Sequence, residues 1–338
     1  MRQALISFRF VVVVFSFIAV QAQAQNTEPQ ADKRDAQGWL RTLQSAAQKL
    51  SYSGTFIYQQ GSQVRTSRIT HVVDGRNELE KLEILDGKPR EYIRSNEEIV
   101  YYIPELRTLL VEKRVAQDVF PGILAANPGD LATYYTMRKA ETGRVAGFDC
   151  QAIVLEPKDR LRYGYKLWAE KNSGLLLRAQ TLDDGNDVVE QIAFTQIAIG
   201  NIDRGRAKPT FVNTNGWRVE NPTTTLSAPS GWNVKTLPPG FKKIGEVKRV
   251  VSDTSTTGAS ANAQAGRREA TQLVFSDGLA AISVFIEPGA HSKTEGSMRQ
   301  GAMNIVGKRH GDFWLTIVGE VPLAAIKQVA NSIEFKSK

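Results

Sequence analysis

Ser53 to Val73 reads SGTFIYQQGSQVRTSRITHVV. It is rich in Phe, Tyr, Ile, Val and Thr, alternates with a period of two, and breaks once at Gly61-Ser62. Two β-strands joined by a tight turn follow from that pattern. Just upstream the period is different. In DAQGWLRTLQSAAQKL, Asp35 to Leu50, Trp39, Leu40, Leu43, Ala47 and Leu50 recur at helical spacing, and Asp35 stands where an N-cap would. The chain therefore switches at about residue 50 from one amphipathic helix to strands.

Downstream the period of two persists. Asp74-Gly75, Asp86-Gly87 and Asn96-Glu97 mark turns, and NEEIVYYIPELRTLLVEK gives a strand pair around Pro104-Glu105. Gln117 to Asp130, QDVFPGILAANPGD, interrupts this rhythm with Pro121, Gly122, Pro128 and Gly129, and predicts a loop with short helical turns. Long strands resume to Ile199, with turns at Asn172-Ser173-Gly174 and Asp184-Gly185-Asn186. The expected fold is mainly β within an α+β plan: a helix on a large, curved, half-open antiparallel sheet. Residues 25–205 form that domain. Residues 206–230, rich in Asn, Thr, Ser and Pro, read as a linker. Residues 231–338 form a smaller α+β domain, closed by a helix from Pro322 to Ser332.

The N-terminus sets the expected compartment. Arg2 and Arg9 precede an apolar run, Phe10 to Val20, broken only by Ser16, and Ala22-Gln23-Ala24 offers a small-x-small cleavage pattern. Residues 1–24 are expected to be a cleaved secretory signal, so the mature chain is expected to be exported. The run is shorter than the roughly 20 residues that a spanning helix needs. Loss of Arg2 and Arg9 lowers the formal charge from +8 to +6. That modest excess suits an acidic partner or an anionic surface and argues against nucleic acid. Cys150 is the single cysteine, so no internal disulfide can form, and its alternating surroundings read as core.

The residues do not compose an active site. His71, His291 and His310 fall in no metal-ligand spacing, His71 reading as a satisfied strand residue and His310 as solvated in a hairpin turn. No nucleophile elbow, phosphate loop or dinucleotide fingerprint occurs. Asp183 to Asp187 lacks the ligand spacing and distal Glu of a calcium loop. Ser276-Asp277-Gly278, in QLVFSDGLAAISVFIEP, places a serine beside an aspartate, but Asp-Gly between alternating hydrophobics is a hairpin signal. No catalytic residue, cofactor or metal is expected. Two surfaces are candidates for binding. An apolar cavity in the half-open sheet would be lined by Phe56, Tyr58, Ile84, Tyr101, Phe120, Ile123 and Leu124; an ordinary filled core is the alternative. A basic cluster, Lys242, Lys243, Lys248 and Arg249, would meet an acidic partner or lipid phosphates; a solvated charged face is the alternative. The residues leave a homo-oligomer open.

Tyr165 to Ile199, YKLWAEKNSGLLLRAQTLDDGNDVVEQIAFTQIAI, resembles the lipoprotein carriers of the LolA/LolB type. SYSGTFIYQQGSQVRTSRITH, LPPGFKKI, QLVFSDGLAAISVFIE and GAMNIVGKRHGDFWLTIVGEVPLAAIKQVANSIEF together resemble the MucB/RseB family. That resemblance implies a non-catalytic periplasmic regulator of the sigma-E envelope-stress response. It would bind the periplasmic segment of a membrane-spanning anti-sigma factor of the RseA/MucA type and shield it from site-1 proteolysis by a DegS-type protease. Lipopolysaccharide or the acyl chains of mislocalised lipoprotein would release it. The alternative is a lipid or lipoprotein carrier of the LolA/LolB type, against which the second domain argues.

Overall fold

The structure is a computed structural model that describes residues 28–75, 77–96, 98–113, 128–221, 223–225, 229–252, 267–289 and 294–336. Helix α1 spans Glu28–Lys49. It begins about two turns before the expected N-cap, so Asp35 lies inside the helix, where it pairs with Lys139 at 3.0 Å. The reason is local: EPQADKR contains good helix formers, and Pro29 falls in the first turn, where a missing N–H costs nothing.

Six strands follow: β1 (Tyr52–Gln60), β2 (Gln63–Asp74), β3 (Asn77–Ile84), β4 (Arg90–Ser95), β5 (Glu98–Ile103) and β6 (Thr108–Lys113). After the short helix α2 (Pro128–Tyr134) come β7 (Tyr135–Val145), β8 (Phe148–Pro157), β9 (Gly164–Glu170), β10 (Leu176–Leu182) and β11 (Val188–Ile199). With β12 (Arg218–Glu220) they form one unclosed sheet in the order β12-β6-β5-β4-β3-β2-β1-β11-β10-β9-β8-β7. Hairpins join sequence neighbours, and the one long connection brings β11 back beside β1. Register shifts in the β1–β11, β10–β11, β9–β10 and β7–β8 pairings mark bulges, which sharpen the twist and curl the sheet.

Helix α1 closes one half of the concave face. Ala36, Leu40, Leu43 and Ala47 pack with Leu131, Tyr135, Met137, Ile153, Leu155 and Leu167. A second cluster gathers Tyr52, Phe56, Ile69, Cys150, Trp168, Leu177 and Phe194. Cys150 is fully buried there, as its alternating surroundings predict. Among the described residues, no helix is long and apolar enough to cross a membrane.

The smaller sheet uses β13 (Thr223–Thr225), β15 (Lys242–Ser252), β16 (Arg267–Ser276), β17 (Ala281–Pro288), β18 (Gly296–Gln300), β19 (Met303–His310) and β20 (Phe313–Gly319). Its order is β13-β15-β16-β17-β20-β19-β18. A two-stranded ribbon pairs β14 (Trp232–Val234) with β21 (Ile333–Phe335), and α3 (Leu323–Ala330) buries Ala325, Ile326, Val329 and Ala330 on the sheet. Trp232 anchors this core against Phe313 and Phe335, with ring centroids 5.0 Å away in each case. His310 is half-buried against the same ring at 5.5 Å. It is therefore not the solvated turn residue its sequence context suggested, because the ribbon carries Trp232 over the hairpin.

Of residues 206–230, expected as a linker, the described ones pack on the larger sheet and add an edge strand to each sheet. Phe211 stacks on Tyr102 at 6.3 Å and meets Trp217 at 6.0 Å. Buried Lys81 donates to Thr210 Oγ1 at 2.7 Å and pairs with Glu91, whose Oε2 accepts from the Thr210 N–H at 2.9 Å. The chain then adds β12 in parallel to β6 and β13 antiparallel to β15, so one strap edges both sheets.

Candidate functional site

The half of the concave face away from α1 is built by strand register. Gly54, Ile69, Leu82, Tyr92, Tyr101 and Leu110 stand opposite one another across six adjacent strands. Side chains alternate along a strand, so this row shares one face. Leu82, Tyr92, Tyr101 and Leu110 are half-buried or better, none of the last three being sealed. Tyr92 and Tyr101 meet edge-on, 5.0 Å between centroids, which fixes both rings and leaves apolar surface available.

Of the residues expected to line a cavity, Phe56, Tyr58, Ile84 and Tyr101 lie on this face. Ile84 and Tyr101 are half-buried on the open side. Tyr58 is half-buried, and burial followed by the charge of Glu190 pushes its hydroxyl upward. Phe56 is 4% exposed and sealed against Phe194 at 5.8 Å, so it is core rather than open wall. Phe120, Ile123 and Leu124 lie outside the described residues.

A charged row borders the apolar one. His71 Nδ1 stands 2.9 Å from the Leu50 carbonyl oxygen, and Nε2 stands 3.0 Å from Glu78 Oε1. His71, Glu78 and Glu80 bring ligand atoms within 4.8 Å of one another. Arg94 already bridges both glutamates, at 2.9 Å to Glu80 Oε2. A guanidinium thus occupies the position of positive charge, and the cluster works as an ion-pair network.

The basic cluster is divided. Lys242 is exposed, Lys243 pairs with Glu246, and Lys248 pairs with Glu269 at 3.2 Å. Arg249 reaches across to the larger sheet, Nη1 to Glu112 Oε1 at 3.1 Å. Adjacent strand positions face opposite sides, so Lys248 and Arg249 do not share a patch. An open groove of about 420 Å³ also runs along α1, beside Arg41, Thr42, Ser45, Lys49 and the Ser173 turn. Its lining mixes polar side chains with apolar surface from Ala46 and Leu50.

The strongest site between the sheets was not anticipated. Arg162, in the β8–β9 turn, has a side chain sealed from solvent. Its Nε donates to both oxygens of Asp159, at 3.2 and 3.1 Å, and Nη1 donates to Asp277 Oδ2 at 2.8 Å. Nη2 donates to the Pro239 carbonyl, and the guanidinium lies 4.7 Å from the Tyr134 ring centroid. Asp277 begins the β16–β17 turn, as the Asp-Gly signal predicts. Its other oxygen accepts from the Leu279 and Ala280 N–H groups, each at 2.9 Å. The same turn inserts Leu279 into the α1 core, while Leu161 packs against the core of the smaller sheet. Each module thus caps the other's core. KDRLRYGY shows a charged turn; nothing local marks Arg162 as the partner of a residue 115 positions on.

An unclosed sheet with a half-open apolar face, locked to a second sheet by a buried ion pair, defines a two-module binding protein. The chain belongs to the MucB/RseB family. The model of the MucB/RseB N-terminal domain matches residues 35–211, and that of the C-terminal domain matches residues 227–334. The sigma factor AlgU regulatory protein MucB of Pseudomonas aeruginosa is 29% identical over 313 residues, covering 90% of this chain and 92% of its own. The sigma-E factor regulatory protein RseB of Escherichia coli K12 is 26% identical over 297 residues, covering 88% and 89%. Among solved structures, the P. aeruginosa MucA/MucB complex gives a TM-score of 0.69 at 26% identity, covering 90% of this chain and 100% of that chain. MucB in complex with MucA(peri) gives 0.67 at 26% identity, with the same coverage.

Proposed function

We propose that this chain is a periplasmic regulator of sigma-E-type signalling that binds the periplasmic segment of a membrane-spanning anti-sigma factor of the RseA/MucA type. Likeness along both modules to MucB, a protein solved in complex with MucA, carries this reading. The half-open row Leu82–Tyr92–Tyr101–Leu110 is the candidate contact for acyl chains, since it offers apolar surface on a rigid sheet. Binding shields the anti-sigma segment from a DegS-type protease. Lipopolysaccharide or mislocalised lipoprotein releases it by favouring the unbound regulator, which is thermodynamic linkage. The chain acts without catalysis in this scheme, after export by the signal expected in residues 1–24.

The test is capture of the periplasmic segment of the organism's RseA/MucA-type anti-sigma factor by the purified mature chain, followed by digestion with the DegS-type protease. Capture with slowed cleavage supports the reading. Failure to bind, together with cleavage at the unprotected rate, overturns it.

A further inference from the structure

We propose that one end of the β2–β6 half of the larger sheet, where the β3–β4 and β5–β6 turns meet the strap, is a membrane-docking rim. Its exposed aliphatic side chains enter the interface of an anionic phospholipid bilayer, and its cations meet the lipid phosphates. Among the described residues nine large hydrophobic side chains are exposed, and five of them, Val64, Leu85, Leu106, Val212 and Val219, gather here. Leu106 is 60% exposed and Val212 89%. Single exposed hydrophobics are ordinary, but a cluster at one end of a sheet marks an interaction surface. Pairing and short contacts bring the five together. Val64 lies at the start of β2, and the Leu85 N–H, just beyond β3, donates to the Thr66 carbonyl at 3.0 Å. Arg90 pairs with Glu105 at 2.5 Å, which ties the β3–β4 turn to the 3-10 turn Pro104–Leu106. The Arg218 N–H donates to the Arg107 carbonyl at 2.8 Å, and Val219 stands opposite Leu109. Phe211, beside Val212, stacks on Tyr102 near the same end of β5, so the strap joins the rim.

The charge at this end complements such a surface. Its carboxylates are engaged: Asp86 accepts from the Thr66 N–H, Glu105 from Arg90, and Glu220 pairs with Arg218 at 2.8 Å. Lys88 acts on Glu105 as a second cation. Arg65 and Arg107 are exposed, with no carboxylate partner among the described residues. Half-buried Trp217, 6.0 Å from Phe211, adds the amphipathic ring that suits a lipid–water boundary. Aliphatic tips flanked by cations are the chemistry of an interfacial anchor, because apolar burial and attraction to anionic lipid add together. The five side chains sit on turns and strand ends and line no groove, which fits a planar surface better than a peptide. The acidic β10–β11 turn lies beyond β1 from this rim, where Arg299 of the smaller module stands 4.0 Å from Asp183. Docked by the rim, the chain lies on the membrane that its anti-sigma partner spans. That consequence rests on the function proposed above; the docking itself does not.

The experiment floats the mature chain with vesicles of phosphatidylcholine alone or mixed with phosphatidylglycerol. No anti-sigma factor is present, so the outcome is separate from the capture test. The chain should float with the anionic vesicles only, and binding should fall as salt rises. Leu85→Ser with Leu106→Ser should lower partitioning about tenfold, as should Arg65→Glu with Lys88→Glu. Ile244→Ser, which removes an exposed hydrophobic of β15 in the smaller module, should leave it unchanged. A second measurement places a polarity-sensitive dye on Leu106→Cys, the native Cys150 being buried. Its emission should shift to the blue with anionic vesicles, and it decides the matter if the serine variant does not fold. No flotation with anionic vesicles, variants that float like wild type, or an unshifted dye overturns the proposal. Rim variants that lose anti-sigma capture, in a chain that binds no vesicles, identify a protein contact and overturn it too.

Discussion

Arg162 Nη1 and Asp277 Oδ2 lie 2.8 Å apart, both side chains sealed from solvent, although 115 positions separate them in the chain. The pair joins the β8–β9 turn of one module to a hairpin tip of the other, and Leu279 follows it into the neighbouring core. Removing one partner strands a buried charge. Asp277→Ala should cost about 3–5 kcal/mol in urea unfolding. The double change Arg162→Met with Asp277→Leu should recover most of that loss, since no charge then remains unpaired. Equal unfolding midpoints for wild type and Asp277→Ala would remove the ion pair from any structural role.

The hairpin tip makes a graded prediction. Ser276 Oγ accepts from the Gly278 N–H at 2.8 Å and donates to the Ala280 carbonyl at 2.9 Å. Ser276→Ala should cost about 1 kcal/mol and leave anti-sigma binding intact, because the serine has a turn-closing role. Gly278 holds φ at +95°, where a β-branched residue is strained. Gly278→Val should lower the melting temperature more than Ser276→Ala does. A Gly278→Val protein that melts like wild type contradicts this account of the turn.

The open row can be separated from the core beside it. Tyr101→Ala should weaken binding of a fluorescent fatty-acid probe about tenfold, the equivalent of about 1.4 kcal/mol, while the fold survives because the ring is only half-buried. Phe56→Ala should instead destabilise the protein by about 3–5 kcal/mol. Titration of the probe and thermal melting of both variants distinguish them. Equal probe affinity in wild type and Tyr101→Ala removes this row as the apolar contact.

Cys150 offers a chemical check. Burial pushes its thiol up to about 11, so little thiolate forms at a pH of about 8. A thiol reagent should react with the native chain far more slowly than with the urea-unfolded chain, and labelling should accelerate only above about pH 10. Rapid native labelling under the mildly alkaline condition would place the thiol at an exposed surface.

Local rules made much of the architecture legible. The change from helical spacing at Trp39–Leu50 to alternation at Ser53–Val73 marks α1 and the meander, because period reports which face a side chain buries. Asp-Gly and related turns mark hairpins, and the apolar face of Pro322–Ser332 marks α3. Three-residue strands such as β12 and β13 carry no period, so the strap looked like a bare linker. For the same reason charges along β15 looked like one cluster, although strand alternation and pairing partners send Arg249 to Glu112 and Lys248 to Glu269.

The sequence by itself determined the strand-rich class, the existence of the first and last helices, the single buried thiol and the lack of a recognisable catalytic motif, all properties of neighbours in the chain. Only the tertiary structure decided that Asp277 is a lock as well as a turn, that Arg249 pairs with Glu112 of the other sheet, and which part of the concave face stays open. Those outcomes depend on which charges and apolar surfaces meet once the sheet curls and the modules dock. Residues 115 positions apart leave no local pattern, because burial and pairing, rather than spacing, set their energy.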